Sequence, residues 1–318
     1  VDEQLQKETE SLQKALESQV NSFDAVAEAA SVSKEEILTN LQDQLDAMQN
    51  WADNMDTLAA RGIDDGLLAK LANMGPEGAG YVQAFMDMTG PELESAGEMF
   101  SDALELSDET AARLAEESMV LLKNEKNLLP LSSTVKRVAL IGPMVKDRSD
   151  LLGAWAFKGQ AEDVETIYEG MQKEFGDKVR LDYEQGCALD GNDESGFSAA
   201  LKTAEASDVV VVCLGESKQW SGENASRSTI ALPDIQEKLL LHLKQANKPI
   251  VLVLSSGRPL ELIRLEPQVE AIIEMWQPGV AGGTPLAGIL SGRVNPSGKL
   301  SVTFPLSTGQ IPVYYNTV

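Results

Sequence analysis

The sequence has 318 residues, of which 43% are hydrophobic and 24% charged, so it can bury one large core or two ordinary ones and is not disordered throughout. It carries 50 Asp and Glu against 26 Lys and Arg, a formal net charge of −24. This charge argues against nucleic acid or an anionic membrane as a partner, because both bind positive surfaces. One His and two Cys are too few for a Cys/His zinc site, and no residue set suggests a metal or another cofactor.

The acidic excess is concentrated in the first third of the chain. Residues 1–110 carry 24 acidic and 5 basic side chains, whereas residues 111–318 carry 26 and 21. No run of 18 apolar residues predicts a membrane span, and the first residues lack the pattern of a signal peptide. Cys187 and Cys213 form no C-x-x-C motif, and we interpret both as reduced, buried thiols.

Residues 1–110 have the spacing of amphipathic helices. Apolar residues recur three or four positions apart from Leu38 to Leu58, after the capping box Ser33-x-x-Glu36, and an earlier helix carries Leu5, Leu12, Leu16 and Phe23. Breaks are predicted at Gly62, Gly75-Pro76 and Gly90-Pro91. The apolar stripes must be buried by each other, by the remaining chain or by another copy, as in a coiled coil, so self-association is one expectation.

Beyond about residue 106, short β-branched runs alternate with helical stretches. This alternation predicts an α/β fold with a mainly parallel sheet covered on both faces. The predicted strands are 137–143, 178–187, 207–216, 249–257, 271–279 and a short sixth at 300–304. The predicted helices are 163–175, 196–206, 233–247, 259–266 and 281–291. A further helix, 108–124, is expected to join the two parts.

Ligands of open α/β sheets gather at the carboxyl ends of the strands, and the third predicted strand is followed by the unusual segment GESKQWSGENASRSTIALP. Its candidate side chains are Glu216, Trp220, Ser221, Glu223 and Arg227. An indole, a guanidinium and carboxyl groups suit a sugar, and a carboxylic acid can protonate a glycosidic oxygen. The alternative is a polar loop in which Glu223 and Arg227 form a solvated ion pair. Arg258, after the fourth strand, is expected to pair with a carboxylate or to cap a sheet edge.

A family resemblance rests on several segments in order. They are AARLAEESMVLLKNEKNLLPL, VALIGP, DVVVVCLGE, SGENASR, PIVLVLSSGRPLEL, MWQPGVAGGTPLAGILSGRVNPSGKLSVTFP and GQIPVYYN. Together they resemble the second domain of family 3 glycoside hydrolases of the β-glucosidase type, over about residues 111–316. The resemblance implies a six-stranded (α/β)6 sandwich, preceded here by an all-α segment, with domains at 1–110 and 111–318. It also implies that Glu223 is the general acid/base and that a β-linked glucoside or oligosaccharide is the ligand.

The same resemblance implies parts that this sequence does not match. In the family, the Asp nucleophile lies on a TIM barrel that precedes the sandwich, and such a barrel needs roughly 250 residues. Residues 1–110 are too few and contain no matching motif, so no nucleophile is assigned and we expect little or no hydrolysis by this chain alone. Family members are often periplasmic or secreted, which leaves the compartment of this chain open.

The N-terminal part has a second resemblance. The stretch 51–94, within about residues 51–105, resembles a segment of phage tail tape-measure proteins, which are helical and structural. Two hypotheses follow: a glycosidase-derived sandwich with a residual sugar site, or an assembly protein whose helical arm self-associates or docks a partner while the sandwich acts as a scaffold. If both resemblances hold, the chain is a fusion of unrelated pieces with the seam near residues 105–118.

Overall fold

The computed structural model describes residues 34–156 and 159–313. The chain divides into two compact units, residues 1–105 and 106–318. The predicted helix with Leu5 and Phe23, and Ser33 of the predicted capping box, lie outside the described residues.

The first unit is built from helices with a small core of their own. Its helices are α1 (Lys34–Ala60), α2 (Asp65–Met74), α3 (Ala79–Met86) and the first part of α4 (Gly90–Ser118). The predicted breaks are present, since a turn containing Gly62 separates α1 from α2, and a short 3-10 helix, Gly75–Gly78, separates α2 from α3. The core residues are Met55, Leu58, Ile63, Leu67, Leu71, Val82 and Leu93. The predicted apolar stripe of α1 is buried toward its end, at Met55 and Leu58, whereas Leu38 near its start is exposed.

The second unit is an α/β sandwich around one six-stranded sheet. Its strands are β1 (Val120–Asn124), β2 (Arg137–Ile141), β3 (Arg180–Glu184), β4 (Val209–Gly215), β5 (Ile250–Ser255) and β6 (Ala271–Glu274). Its helices, beyond the end of α4, are α5 (Ser149–Leu152), α6 (Ile167–Phe175), α7 (Phe197–Glu205), α8 (Asp234–Leu243) and α9 (Gly283–Ser291). The strand order is β1-β6-β5-β4-β2-β3. All neighbours are parallel except β1 and β6, which confirms the predicted fold class.

Both faces of the sheet are buried. In β4, Val209, Val211 and Cys213 face one core, whereas Val210, Val212 and Leu214 face the other. Helices α6 and α9 cover the first face, and α7 and α8 cover the second. Continuous apolar runs therefore reflect strands covered by helices on two sides. Cys187 and Cys213 are both free and buried, as predicted.

Three sequence predictions were wrong. The predicted helix 108–124 ends at Ser118, and its last residues form β1, an edge strand paired with β6. The predicted strand 300–304 makes no strand pairing, and Phe304 packs against the Trp276 ring instead. The predicted helix 259–266 is an irregular segment with an isolated bridge between Glu261 and Ala231. The run Val120–Asn124 is compatible with helix or strand, and pairing with β6 decides between them, whereas residues 259–266 and 300–304 form neither an α-helix nor a paired strand.

Within the described part of the chain, no helix is both long enough and apolar enough to cross a membrane.

Candidate active site

The candidate loop, residues 216–232, follows β4 at the carboxyl edge of the parallel sheet. Strand β4 lies between β2 and β5, so the segments that follow these three strands meet at this edge. They contribute α5 with residues 153–156, the candidate loop, and residues 256–258. The position agrees with the general location of ligand sites in open α/β sheets.

Glu216 begins the loop and points into the protein. The residue is only 1% exposed. Its Oε1 accepts a hydrogen bond from Nη1 of Arg227 at 2.8 Å, and its Oε2 accepts from Nε of Arg258 at 3.1 Å. Burial raises the pKa of Glu216, while the charges and hydrogen bonds of Arg258 and Arg227 act in the opposite direction. Both oxygens are thus occupied by guanidinium groups, a geometry that argues against direct contact with a sugar.

Trp220 and Arg227 contact each other across the loop. The Arg227 guanidinium lies 4.5 Å from the centroid of the Trp220 ring, which is a cation–π distance. Arg258 also donates a hydrogen bond from Nη2 to the Trp220 carbonyl. The expected pairing of Arg258 with a carboxylate is therefore confirmed, whereas the ion-pair partner of Arg227 is Glu216 rather than Glu223.

Behind Glu216 lies a second buried carboxyl group, Glu274 at the end of β6. Its side chain accepts a hydrogen bond from the Trp276 backbone N–H at 2.9 Å and lies 3.3 Å from Ser256 Oγ. Burial holds the pKa of Glu274 well above its ordinary range, and the nearby charge of Glu216 adds to this effect. Burial thus favours the protonated form of both acidic groups at this edge, and at Glu216 two guanidinium groups oppose this effect.

Glu223 occupies a different environment at the tip of the loop. Its side chain is exposed, and among the described residues it makes no hydrogen bond or ion pair. It lines a cavity of about 490 Å³ together with Trp155, Lys218 and Ser221. Within the described lining, Glu223 supplies the one carboxyl group. An unpaired carboxyl group facing an open cavity is available for proton transfer to a bound molecule.

Trp155 was not found by the sequence analysis. It is 60% exposed and follows α5, at the same sheet edge as the loop. Gly222 passes close to it at φ +93°, where an added Cβ would lie 3.0 Å from Ala154 Cβ and 3.6 Å from Trp155 Nε1. Its position after β2 could have indicated it, because ligands of open α/β sheets bind at the carboxyl ends of the strands and this applies to β2 as it does to β4.

Two polar side chains brace the loop against the Trp155 segment. Asp150 accepts hydrogen bonds from Ser217 Oγ at 3.1 Å and the Lys218 backbone N–H at 2.8 Å. Gln277 donates from Nε2 to Ser221 Oγ at 3.2 Å, and its Oε1 accepts from the Ala154 N–H at 3.4 Å. Ser221, predicted to contact a sugar directly, thus also helps to hold the cavity wall.

The described residues contain no group of three or more His, Cys, Asp or Glu side chains with the geometry to hold a metal ion. The cavity residues are instead an acid, an aromatic surface and hydrogen-bonding groups. Such a set can bind a polyhydroxylated ring and transfer a proton to it.

Comparisons with known proteins find a family match and similar proteins for the second unit. Residues 119–318 match the Glycosyl hydrolase family 3 C-terminal domain. The chain is 37% identical over 226 residues to the periplasmic beta-glucosidase of Salmonella typhimurium, with 65% of this chain and 29% of that protein covered. It is 35% identical over 212 residues to a beta-xylosidase of Formosa agariphila, with the same coverages.

One solved structure shows a similar match to this chain. The beta-glucosidase from Listeria innocua in complex with glucose is 39% identical, with a TM-score of 0.60, and the match covers 65% of this chain and 28% of that chain. This chain therefore spans less than a third of the length of these relatives.

Proposed function

This chain belongs to glycosyl hydrolase family 3 through its C-terminal domain, and from that membership we propose that Glu223 is the general acid/base of a site for β-linked glucosides or oligosaccharides. The observation that carries the proposal is the placement of Glu223, exposed and without a partner among the described residues, on the wall of a cavity shared with Trp155. The relative from Listeria innocua, whose structure holds glucose, supports the class of ligand.

Trp155 extends the proposed ligand contacts. Its exposed indole offers a flat apolar surface beside Glu223, and sugar rings stack on such surfaces through their C–H faces. Ser221 is proposed to contribute a hydroxyl group to the same wall. Trp220 and Arg227 are proposed to support the loop, because the Arg227 guanidinium lies over the Trp220 ring and pairs with Glu216.

We propose that this chain alone binds sugar with little or no hydrolysis. Retention of configuration requires two carboxyl groups about 5 to 5.5 Å apart, and Glu223 is the one carboxyl group in the described cavity lining. The second carboxylate would then have to come from a different polypeptide segment.

The direct test is titration of the full chain with methyl β-glucoside, followed by Trp fluorescence. We expect a saturable change that Trp155→Ala abolishes and that Trp51→Phe, in the first unit, leaves intact. Absence of saturation in the native chain at any attainable concentration would overturn the proposed ligand. Turnover of an aryl β-glucoside that disappears in Glu223→Gln would instead overturn the proposed inactivity.

The helical unit supports a second, separate function in assembly. It has its own core, lies outside the matched residues 119–318, and exposes Tyr81 and Met99 by about three fifths of their surface. We propose that these apolar side chains mediate self-association, with the unit having an origin separate from the sandwich. Sedimentation of the full chain should show an oligomer that Tyr81→Glu weakens, whereas a monomer at all concentrations would contradict the proposal.

A further inference from the structure

The buried ion pair between Glu216 and Arg227 joins the first residue of the candidate loop to a residue in its second half. Glu216 is the first residue after β4, and Arg227 lies 11 positions further along the chain. Their 2.8 Å ion pair closes the intervening segment into a ring. Glu223 lies within this ring, near its exposed tip.

A third residue ties the ring to the sheet. Arg258 follows β5, the neighbour of β4, and bridges the Glu216 carboxylate and the Trp220 carbonyl. Trp220 is also covered by the Arg227 guanidinium. The Glu216 carboxylate is therefore the common acceptor through which both arginines hold the loop.

We propose that Glu216 is a positioning residue for Glu223, which it serves by fixing the loop through Arg227 and Arg258 and without touching the sugar. This inference rests on the role proposed for Glu223. It reassigns Glu216, together with Arg227, from sugar contact to support of the acid. A proton donor must lie within hydrogen-bond reach of the glycosidic oxygen, so the order of this loop limits how well Glu223 can act.

The burial of Glu216 explains why the arrangement depends on all three charges. A carboxylate removed from water is stable only when charged or polar partners replace its hydration. Loss of the Glu216 charge leaves two arginines partly buried without an anion, and they would turn toward solvent. Arg258 would then release the Trp220 carbonyl, and Arg227 the Trp220 ring.

The test is amide hydrogen exchange of the full chain in the absence of sugar. In Glu216→Gln, amides of residues 217–226 should exchange about tenfold faster or more, given the size of a buried ion pair, while β4 and β5 keep their protection. The matched control is Glu174→Gln, which removes another largely buried carboxylate paired with an arginine, Arg293, at 2.8 Å, and should leave residues 217–226 unchanged.

A spectroscopic readout separates positioning from general destabilisation. With 5-fluorotryptophan incorporated, the ¹⁹F resonance of Trp220 should shift in Glu216→Gln, whereas that of Trp51 should not. Arg258→Gln should reproduce both effects, and the double variant should add little, because the residues act as one unit.

A third variant covers the case in which Glu216→Gln does not fold. Arg258→Lys keeps the positive charge beside Glu216 but loses the fixed fork that reaches the Trp220 carbonyl, and should loosen residues 217–226 to a smaller extent. Unchanged exchange at these residues in every folded variant, or the same change in Glu174→Gln, would overturn the inference. Because no sugar is present, loosening of the loop supports the positioning role even if the glucoside titration fails.

Discussion

Glu216 and Arg258 form an ion pair between the residues that follow two adjacent parallel strands, with 3.1 Å between Glu216 Oε2 and Arg258 Nε. The Glu216 side chain is completely buried and that of Arg258 is largely so. Removal of one partner leaves an uncompensated charge in the interior, so this pair differs in kind from ion pairs on the surface.

We expect Arg258→Met to lower the free energy of unfolding of the C-terminal domain by about 3 kcal/mol. Urea denaturation measures the change. The matched control is Arg180→Met, in which a mostly exposed arginine loses its ion pair with Asp182 and the loss should stay below about 1 kcal/mol. Equal losses in the two variants would contradict the special status of the buried pair.

Glu223→Gln should have almost no effect on folding. The side chain is exposed and has no partner among the described residues, so the free energy of unfolding should change by less than about 0.5 kcal/mol. Methyl β-glucoside should still bind, because the amide retains the size of the carboxyl group. A large loss of stability would show that Glu223 has a structural role, and calorimetry on both proteins is sufficient to detect it.

The protonation state of Glu274 gives a pH-dependent prediction. Ser256 Oγ lies 2.7 Å from the Arg258 carbonyl and 3.3 Å from both Glu274 oxygens. The Ser256 hydroxyl donates most closely to the Arg258 carbonyl, and its longer hydrogen bond to Glu274 favours the ionised carboxylate. Burial outweighs this hydrogen bond and the one from the Trp276 backbone N–H, so the pKa of Glu274 lies well above its ordinary value.

Between the unfolded pKa near 4.5 and the raised folded value, the folded chain binds one proton more than the unfolded chain. Stability contributed by Glu274 is therefore present at low pH and falls as pH rises, by about 1.4 kcal/mol per pH unit within this window. Glu274→Gln should remove this slope and be the more stable protein at pH 8. Urea unfolding at several pH values measures this slope, and Glu266→Gln, at an exposed position, is the control. A slope that persists in Glu274→Gln would assign it to other groups.

Close packing of α6 on α9 predicts a strong effect at one glycine. A Cβ added at Gly170 would lie 1.9 Å from the backbone carbon of Gly283, so Gly170→Ala must push the helices apart, at a cost of about 3 kcal/mol or more. Gly80→Ala in α3 meets no atom within 4 Å and should stabilise its unit by about 0.5 to 1 kcal/mol. Thermal unfolding of both variants would test the contrast, and tolerance of Gly170→Ala would contradict the close approach.

The sheet could be predicted because its central strands are short, continuous and apolar, and because helical stretches separate them. The edge strand β1 could not, since Val120–Asn124 continues a helical pattern and becomes a strand only by pairing with β6. Periodicity alone does not separate such short runs.

The candidate loop lies at the carboxyl edge of the sheet, as its position after a predicted strand indicated, but the contacts of its residues depend on tertiary structure. Nothing in the loop sequence indicates that Glu216 is buried, because its partner Arg258 lies 42 residues away. Trp155 was not predicted as a candidate site residue, because the segment after β2 has no marked periodicity. The exposed position of Glu223, by contrast, fits the polar and glycine-rich composition around it.

The antiparallel pairing of β1 with β6 has a practical consequence for isolating the sandwich. A truncation placed at the end of the predicted helix, residue 124, would strip the partner from β6 and leave the apolar segment Ala271–Glu274 with unpaired backbone N–H and C=O groups. Such an uncovered edge recruits strands from other molecules, and the product would be an aggregate rather than a smaller domain. A soluble fragment must therefore retain Val120–Asn124, five residues that add nothing to the candidate site.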